Sequence, residues 1–154
     1  MIQQHAVLDL RWSRESGHAA SGEREHIIGL SVKGEDGSEK GIVGGWRFDG
    51  ESLVITPDPL GYLPIFVWQQ AASEGESRII VGTSPIALVA AGAPGEPDRE
   101  ELGLWCRFGL CLGERTLFRH IRLTPRGKTL TWTKGVARVE GPGLPIIPAS
   151  IRTV

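Results

Sequence analysis

The sequence has few cysteines, almost no net charge and no long apolar run. Two cysteines, Cys106 and Cys111, occur among 154 residues, and the net charge is −1. No basic-then-apolar export signal follows Met1, so both cysteines are expected to be reduced thiols. A charge near zero argues against general electrostatic binding to nucleic acid or anionic membranes. No apolar run reaches membrane-spanning length, and a cytoplasmic location is therefore expected.

Glycine and proline, in contrast, are abundant. The chain has 21 Gly and 10 Pro, which mark turns, and 40% of its residues are apolar, including five Trp. A length of 154 residues fits one domain with a modest core. Frequent turns between short apolar runs favour mostly β structure. We therefore expect an α+β fold, built as an antiparallel sheet or two-layer β sandwich with two short helices.

The central segment predicts three consecutive strands joined by two turns. Its apolar runs are residues 41–48, 53–56 and 63–68. Asp49-Gly50 is a strong hairpin signal, because both central residues of a type I′ turn need a positive φ. Pro57 to Gly61 turns the chain again, since its prolines restrict φ and Gly61 can adopt a left-handed conformation. Asp58 is expected to cap this turn with its own carboxylate.

Further strands are expected on both sides of that segment. The predicted strands are 6–12, 26–33 and 78–83, and the predicted connections are a polar loop at 13–25 and a polar hairpin tip at 69–77. The continuous apolar run Ile79-Ile80-Val81 predicts a strand that is buried on both faces.

Two short helices are expected before residue 110. Ser84 has N-cap chemistry, Pro85 suits the first helical position and Gly92 suits the position after the end. Residues 86–91 are apolar on every side, which predicts a buried helix.

The second helix is predicted at 99–108. Asp98 and Glu101 form a pattern close to a capping box. Leu102, Trp105 and Cys106 then share one face, as i, i+3 and i+4 positions do. Cys106 is therefore expected to be a buried structural thiol.

The chain after this helix predicts a hairpin and then a tail. Residues 128–133 and 136–139 pair across Lys134-Gly135. We assign one domain to residues 1–140, and residues 141–154, with three prolines, to a tail or linker.

Four segments carry a resemblance to a known family. They are GIVGGWRFD, SLVITPDPLGYLPIFV, IIVGTSPIALVAAG and GERTLFRHIRLTPRGKTL, and together they span roughly residues 41–133. In the same order they resemble the GMFAFAIWD-like strand, L-x-L-A-R-D-x-L-G-x-K-P-L-Y-Y, F-A-S-E-I-K-A-L and R-T-L-F-x-x-I-x-x-L-P-P-G-x-x-L of the glutaminase domain of asparagine synthetases. The resemblance implies a shortened Ntn-type (class II) amidotransferase-like fold, whose full form has four α/β/β/α layers.

The catalytic inventory of that family is missing from this sequence. The family's nucleophile is a cysteine directly after the initiator methionine, with its own α-amino group as base, whereas Ile2 stands here. The family's N-G-E and S-D-T-E segments are absent, and the span before Gly41 is shorter than in the family. We therefore assign no catalytic residue and expect no glutaminase activity.

Cofactor sites are not expected either. The family's ATP-dependent domain opens with S-G-G-x-D-S, and the sequence contains no such string. The glycine-rich runs at 41–45 and 140–143 lack the strand–loop–helix context of a phosphate loop. Cys106 and Cys111 have a spacing that suits zinc poorly, and no second ligand pair accompanies them.

Two functions remain open at this point. The favoured one is a non-catalytic, glutaminase-like domain that acts as scaffold or binding partner of an ATP-dependent, amide-forming enzyme of the asparagine synthetase family. Such domains resemble the inactive front domains of β-lactam synthetases and lasso-peptide cyclases. The alternative is the front part of a split or truncated synthetase that makes amides or macrolactams. A protein partner or a homo-oligomer is expected in either case.

An association surface is expected because the fold is shortened. Strands that a complete fold would cover are left open, and an uncovered sheet face or edge is an association site. Trp46 and Trp68 are the candidate interaction residues. We expect at least one of them on the uncovered side, with Phe48 and Phe66 on the core side.

Overall fold

The computed structural model describes residues 5–33, 35, 39–73 and 75–141. Its strands are β1 Val7–Ser13, β2 Gly17–Gly22, β3 Glu25–Lys33, β4 Glu39–Phe48, β5 Ser52–Thr56, β6 Phe66–Ser73, β7 Glu76–Gly82, β8 Arg122–Leu123, β9 Thr129–Thr133 and β10 Val136–Glu140. Its helices are α1 Pro85–Ala90 and α2 Arg99–Phe108.

The strands form two five-stranded antiparallel sheets. Sheet 1 has the order β2-β1-β7-β6-β8, and sheet 2 has the order β10-β9-β5-β4-β3. Hairpins pair β1 with β2, β3 with β4, β4 with β5, β6 with β7 and β9 with β10. In contrast, β1 pairs with β7, β5 with β9 and β6 with β8 across long stretches of chain. The expected α+β class, with two sheets and two short helices, is confirmed.

The inner faces of the two sheets form the main core. Alternation along β1 and β5 places every second residue inward, and the inward residues of both sheets form one apolar cluster. Its fully buried members are Leu8, Leu10, Leu53, Ile55, Ile65, Ile79, Val81 and Trp132. Each such Leu, Ile or Val side chain contributes about 1.5–3 kcal/mol to the free energy of folding.

A second, smaller cluster covers the outer face of sheet 1. Ile80, on β7, points away from the main core and is fully buried against Leu88 of α1, with Ala93 and Ile121 nearby. Since Ile79 and Val81 face the main core, β7 is buried on both sides. The prediction from its continuous apolar run is thus confirmed.

Several strand limits differ from the prediction. The polar residues 13–25 were predicted as a loop, yet β2 lies within them, because its backbone pairs with β1 from Leu8 to Ser13. The hairpin predicted at 69–77 is present, but its tip is shorter than predicted, since β6 continues to Ser73 and β7 begins at Glu76. The run from Leu63 becomes a strand only at Phe66, because the preceding residues cross from sheet 2 to sheet 1.

The two predicted hairpin turns differ from each other. At Lys134-Gly135 both residues have positive φ, 49° and 84°, as a type I′ turn requires. At Asp49-Gly50 only Gly50 does, with φ 108°. There the loop is longer, because the Asp49 carboxylate accepts hydrogen bonds from the amides of Glu51 and Ser52, both at 2.8 Å. The hairpin is confirmed at both places, but the type I′ turn is wrong at the first.

The helices begin and end close to the predicted residues. α1 follows Ser84, and the amide of Gly92 donates to Val89 with a φ of 105° at Gly92. The prediction that α1 is buried all round is wrong, because Ile86 is 70% exposed. α1 is a single layer on sheet 1, so only one side of it meets the sheet.

Neither described helix has the length or the apolar character needed to cross a membrane. The predicted tail at 141–154 lies outside the described residues apart from Gly141.

Candidate interaction surface

The outer face of sheet 2 is the surface that the two helices leave uncovered. In the register of this sheet Arg47 lies opposite both Glu25 and Val54, and Ile27 lies opposite Gly45. Directly opposite residues share a face. We call this surface the open face, and it consists of Glu25, Ile27, Val43, Arg47 and Val54.

The open face has an apolar centre with charges at its margin. Ile27 is 70% exposed, Val43 is 37% exposed and Val54 is 36% exposed. Together with neighbouring backbone they line a shallow groove of about 560 Å³. Glu25 and Arg47, which also line it, bring one charge of each sign.

Gly45 helps to give this groove a floor of bare backbone. A Cβ added there would lie 2.2 Å from the carbonyl oxygen of His26 on β3, so no larger residue fits without separating the two strands. Gly45 lies opposite Ile27 and has no side chain, so no cross-strand side chain packs against Ile27, which stays exposed.

Trp46 does not reach the open face. It neighbours Arg47 on β4, so it points to the opposite side, where it is 3% exposed within the main core. Its indole N–H donates to the carbonyl of Glu23 at 2.8 Å. The predicted placement of Trp46 on an uncovered side is therefore wrong, because alternation along β4 points this large ring inward together with Phe48.

Trp68 lies on an outer face, but on the covered one. It pairs with Ile80 across β6 and β7 and packs in the second cluster beneath α1. The guanidinium of Arg78 lies over its ring, 5.6 Å from the centroid. Phe66, predicted on the core side, also belongs to this second cluster.

Arg78 holds α1 over sheet 1. Its Nε and Nη2 donate to the carboxylate of Asp9, both at 2.8 Å, and Nη2 also donates to the carbonyl of Ala91 at 2.7 Å. The Asp9 hydrogen bond raises the pKa of the guanidinium. One arginine thereby joins β1, β7 and the end of α1, which explains why this outer face has a helix on it.

α2 presents its apolar residues to solvent instead of burying them. Leu102 is 42% exposed, Trp105 is 47% exposed and Cys106 is also exposed. The prediction that Cys106 is a buried structural thiol is therefore wrong. The buried residue of α2 is Glu101, so the helix is oriented by a charge cluster and not by its apolar stripe.

That cluster is centred on Arg115. Its Nη2 donates to the Asp98 carboxylate at 3.0 Å, and its Nε lies 3.0 Å from Glu101 Oε1. Asp98 also accepts from the amides of Glu100 and Glu101, which confirms it as the N-cap. The Glu101 carboxylate accepts from the amide of Leu112 and not from the amide of Asp98. The predicted capping box is therefore wrong in its second hydrogen bond, the one that the Asp98 amide would donate to Glu101.

One of the two thiols has a raised pKa, and the described residues include no metal-ligand cluster. Cys111 has a pKa raised by burial and then by Glu101 and Asp98, which keeps it a thiol and a poor nucleophile. No group of three or more His, Cys, Asp or Glu residues that could hold a metal ion occurs among the described residues.

Asp58 is a structural residue, as predicted. It is fully buried, and its carboxylate accepts from the amides of Leu60 at 3.0 Å, Leu63 at 3.2 Å and Tyr62. These bonds shape the loop that carries the chain from sheet 2 to sheet 1. Gly61 in this turn has φ 76°, so its left-handed conformation is confirmed.

Comparison with known proteins adds no assignment. No model of a known protein family matches the chain, and no curated protein matches it. The interpretation of the open face therefore rests on its geometry alone. Ile27, Val43 and Val54 were not predicted as surface residues. The signal for them was the alternation along β4, where Val43, Gly45 and Arg47 point to one side and Gly44, Trp46 and Phe48 to the other.

Proposed function

We propose that this chain is a shortened, non-catalytic domain of the Ntn-type amidotransferase kind that binds an ATP-dependent, amide-forming enzyme related to asparagine synthetases. The observation that carries the proposal is the open face, an exposed apolar sheet surface in a protein whose other sheet is covered. The partner's role is amide formation, and the role of this chain is to support and position that partner. The cytoplasmic location stays a prediction.

The number of layers supports this proposal. The resembled fold has four layers, with a helical layer on each sheet, whereas the described residues supply one helix over sheet 1 and none over sheet 2. Ile27, Val43 and Val54 occupy positions that such a layer would cover. A partner that lays an apolar surface there gains the burial that the missing layer would supply, at about 25 cal/mol per Å² of apolar area.

The chemistry of the sequence supports a role without turnover. The sequence lacks the N-G-E and S-D-T-E segments with which the resembled family binds glutamine and also lacks S-G-G-x-D-S. We expect no ammonia release from glutamine above a boiled control, and no heat of binding when Mg-ATP is titrated into the protein.

The direct test uses one class of partner and matched variants. The partner to express is an ATP-dependent synthetase that carries the S-G-G-x-D-S segment, sought first among the genes next to that of this chain. Val54→Glu places a charge in the centre of the open face, and Ala19→Glu places the same charge on an exposed position of β2 in sheet 1. We expect Val54→Glu to weaken binding to the partner at least tenfold and Ala19→Glu to leave it unchanged, as measured by interferometry.

The same partner distinguishes the outcomes. Ammonia-dependent amide formation by the partner alone, stimulated by this chain, agrees with a supporting role. A partner that is inactive until this chain is added would instead indicate a split enzyme. Absence of binding, or equal binding by both variants, would contradict the proposal, and so would glutamine hydrolysis that survives substitution of Cys106 and Cys111.

A further inference from the structure

The free edge of sheet 2 is a long strand with exposed apolar side chains. β3 has nine residues and pairs only with β4 among the described strands. Ile27, Leu30 and Val32 are 70%, 83% and 70% exposed. No proline or bulge interrupts its pairing with β4, so two of the common features by which edge strands avoid association are missing.

The backbone groups that face this free edge can be assigned. The amide of Phe48 donates to the carbonyl of Arg24 at 2.7 Å, so Arg24 faces β4. In an antiparallel pair the facing direction alternates from residue to residue. Residues 25, 27, 29, 31 and 33 therefore present their amides and carbonyls to the open side, ready to pair with another strand.

The charges of β3 select one partner and one register. Glu25 and Lys33 stand at its two ends, and both are among the edge-facing residues. When a second copy of β3 pairs antiparallel about Gly29, Glu25 of each copy lies opposite Lys33 of the other. Parallel pairing would place like charges together, which is unfavourable. In the antiparallel register all nine residues pair, and the edge-facing residues of the two copies face each other.

The same register covers exposed apolar side chains. It places Leu30 beside Ile28 of the second copy and Val32 beside His26 of the second copy. Leu30 and Val32 share the inner side of the sheet with Trp46, according to their pairing along β4, yet they remain exposed. We propose that the chain forms a two-fold symmetric dimer through β3, which joins two copies of sheet 2 into one continuous sheet.

The dimer does not depend on the proposed function. Edge pairing uses the side of β3, so the open face stays accessible in both copies, and the test below needs no other protein. Loss of partner binding would leave the dimer intact, and loss of the dimer would leave partner binding to be judged separately.

Charge reversal tests the register. Lys33→Glu or Glu25→Lys places like charges together at two symmetric positions in each dimer, and the double variant restores both ion pairs with the signs exchanged. Arg138→Glu, on the exposed edge strand β10 of the same sheet, is the matched control. Sedimentation equilibrium of the full chain from micromolar to millimolar concentration measures the dissociation constant, and thermal denaturation verifies that each variant is folded.

We expect a monomer–dimer equilibrium for the unmodified chain and for Arg138→Glu. Each single reversal should weaken it at least tenfold, and the double variant should recover most of that loss. As a measurement without substitution, amide hydrogen exchange in residues 25–33 should slow as the dimer forms. A chain that stays monomeric, a dimer indifferent to both reversals, a double variant without recovery, or unchanged exchange in β3 would each overturn the proposal.

Discussion

The outer faces of the two sheets are built from similar residues and have opposite environments. Ile80 on sheet 1 is fully buried, whereas Ile27 on sheet 2 is 70% exposed. Both are isoleucines in the middle of regular strands that point away from the main core. The difference lies in what covers them, because α1 lies over Ile80 and no described helix lies over Ile27. An apolar strand residue therefore shows that a face can be buried and does not show that it is.

The connections of the two sheets explain this difference. β7 is followed directly by Ser84 and Pro85, which start a helix that folds back on sheet 1, where Arg78 holds its end. Within sheet 2, β3, β4 and β5 follow one another with short connections, and a type I′ turn joins β9 to β10. Such turns return the chain to the same sheet, so none of these connections forms a second layer among the described residues.

The largest loss of stability is expected from a substitution on the inner face of sheet 2. Trp46→Ala should lower the free energy of unfolding by about 3–5 kcal/mol, because it leaves a cavity in the main core and removes the bond to Glu23. Trp105→Ala, the same change at a position that is 47% exposed on α2, is the control and should cost much less. Urea denaturation measures both. Equal costs would contradict the inward placement of Trp46.

A matched isoleucine pair tests the two outer faces directly. Ile80→Ala should lower the free energy of unfolding by about 2–5 kcal/mol, since a buried side chain is truncated. Ile27→Ala should change it by less than about 0.5 kcal/mol, as exposed substitutions do. Denaturant unfolding should be measured at concentrations at which the chain is monomeric. A large cost at Ile27 would mean that some part of the protein covers the open face.

The smallest effect on stability is expected from the N-cap of α2, a helix that covers neither sheet extensively. The hydrogen bond from Arg115, followed by those from the Glu101 and Glu100 amides, holds the pKa of Asp98 below its usual value of 3.8. Because the folded pKa is the lower one, Asp98 stabilises the helix fully above that usual value. This contribution is lost as the pH falls through the folded pKa.

Carbon-detected NMR titration of the Asp98 carboxyl measures this pKa. Arg115→Gln should raise it towards 3.8, the usual value, and Asp98→Asn should remove the acid-dependent change in the α2 carbon shifts. Other carboxylates of α2 and of the sheets also ionise in the acid range, so the change assigned to Asp98 is the difference between the unmodified protein and Asp98→Asn. A titration at or above the usual value in the unmodified protein would contradict the assigned ion pair.

The local patterns of the sequence predicted most elements correctly. Lys134-Gly135 specified a hairpin, and Asp98 specified the start of α2, because each depends on backbone groups within a few residues. Asp49-Gly50 failed in detail for a related reason: the Asp49 carboxylate competes for nearby amides and makes a longer loop. β2 was missed because its small, polar residues carry no apolar alternation, and only pairing with β1 makes them a strand.

An uncovered sheet face was predicted, but not the residues that line it. The expected shortening of the fold indicated such a face, yet Trp46 and Trp68 were chosen for their size, and both are packed. Burial of a large aromatic ring is favourable, and these two rings pack inside the main core and under α1. The open face is left with the smaller Ile27, Val43 and Val54, which have no aromatic signal to mark them.

The sequence by itself determined the α+β class, the turn positions, the helix limits and the absence of the resembled family's catalytic segments, since all of these depend on residues close together in the chain. The tertiary structure decided which side of each strand and helix is covered. Cys106 on α2 is exposed because the Arg115 cluster, and not the apolar stripe, orients that helix. Ile27 is exposed because its coverage depends on elements that are distant in sequence, and no local pattern shows whether such elements pack over it.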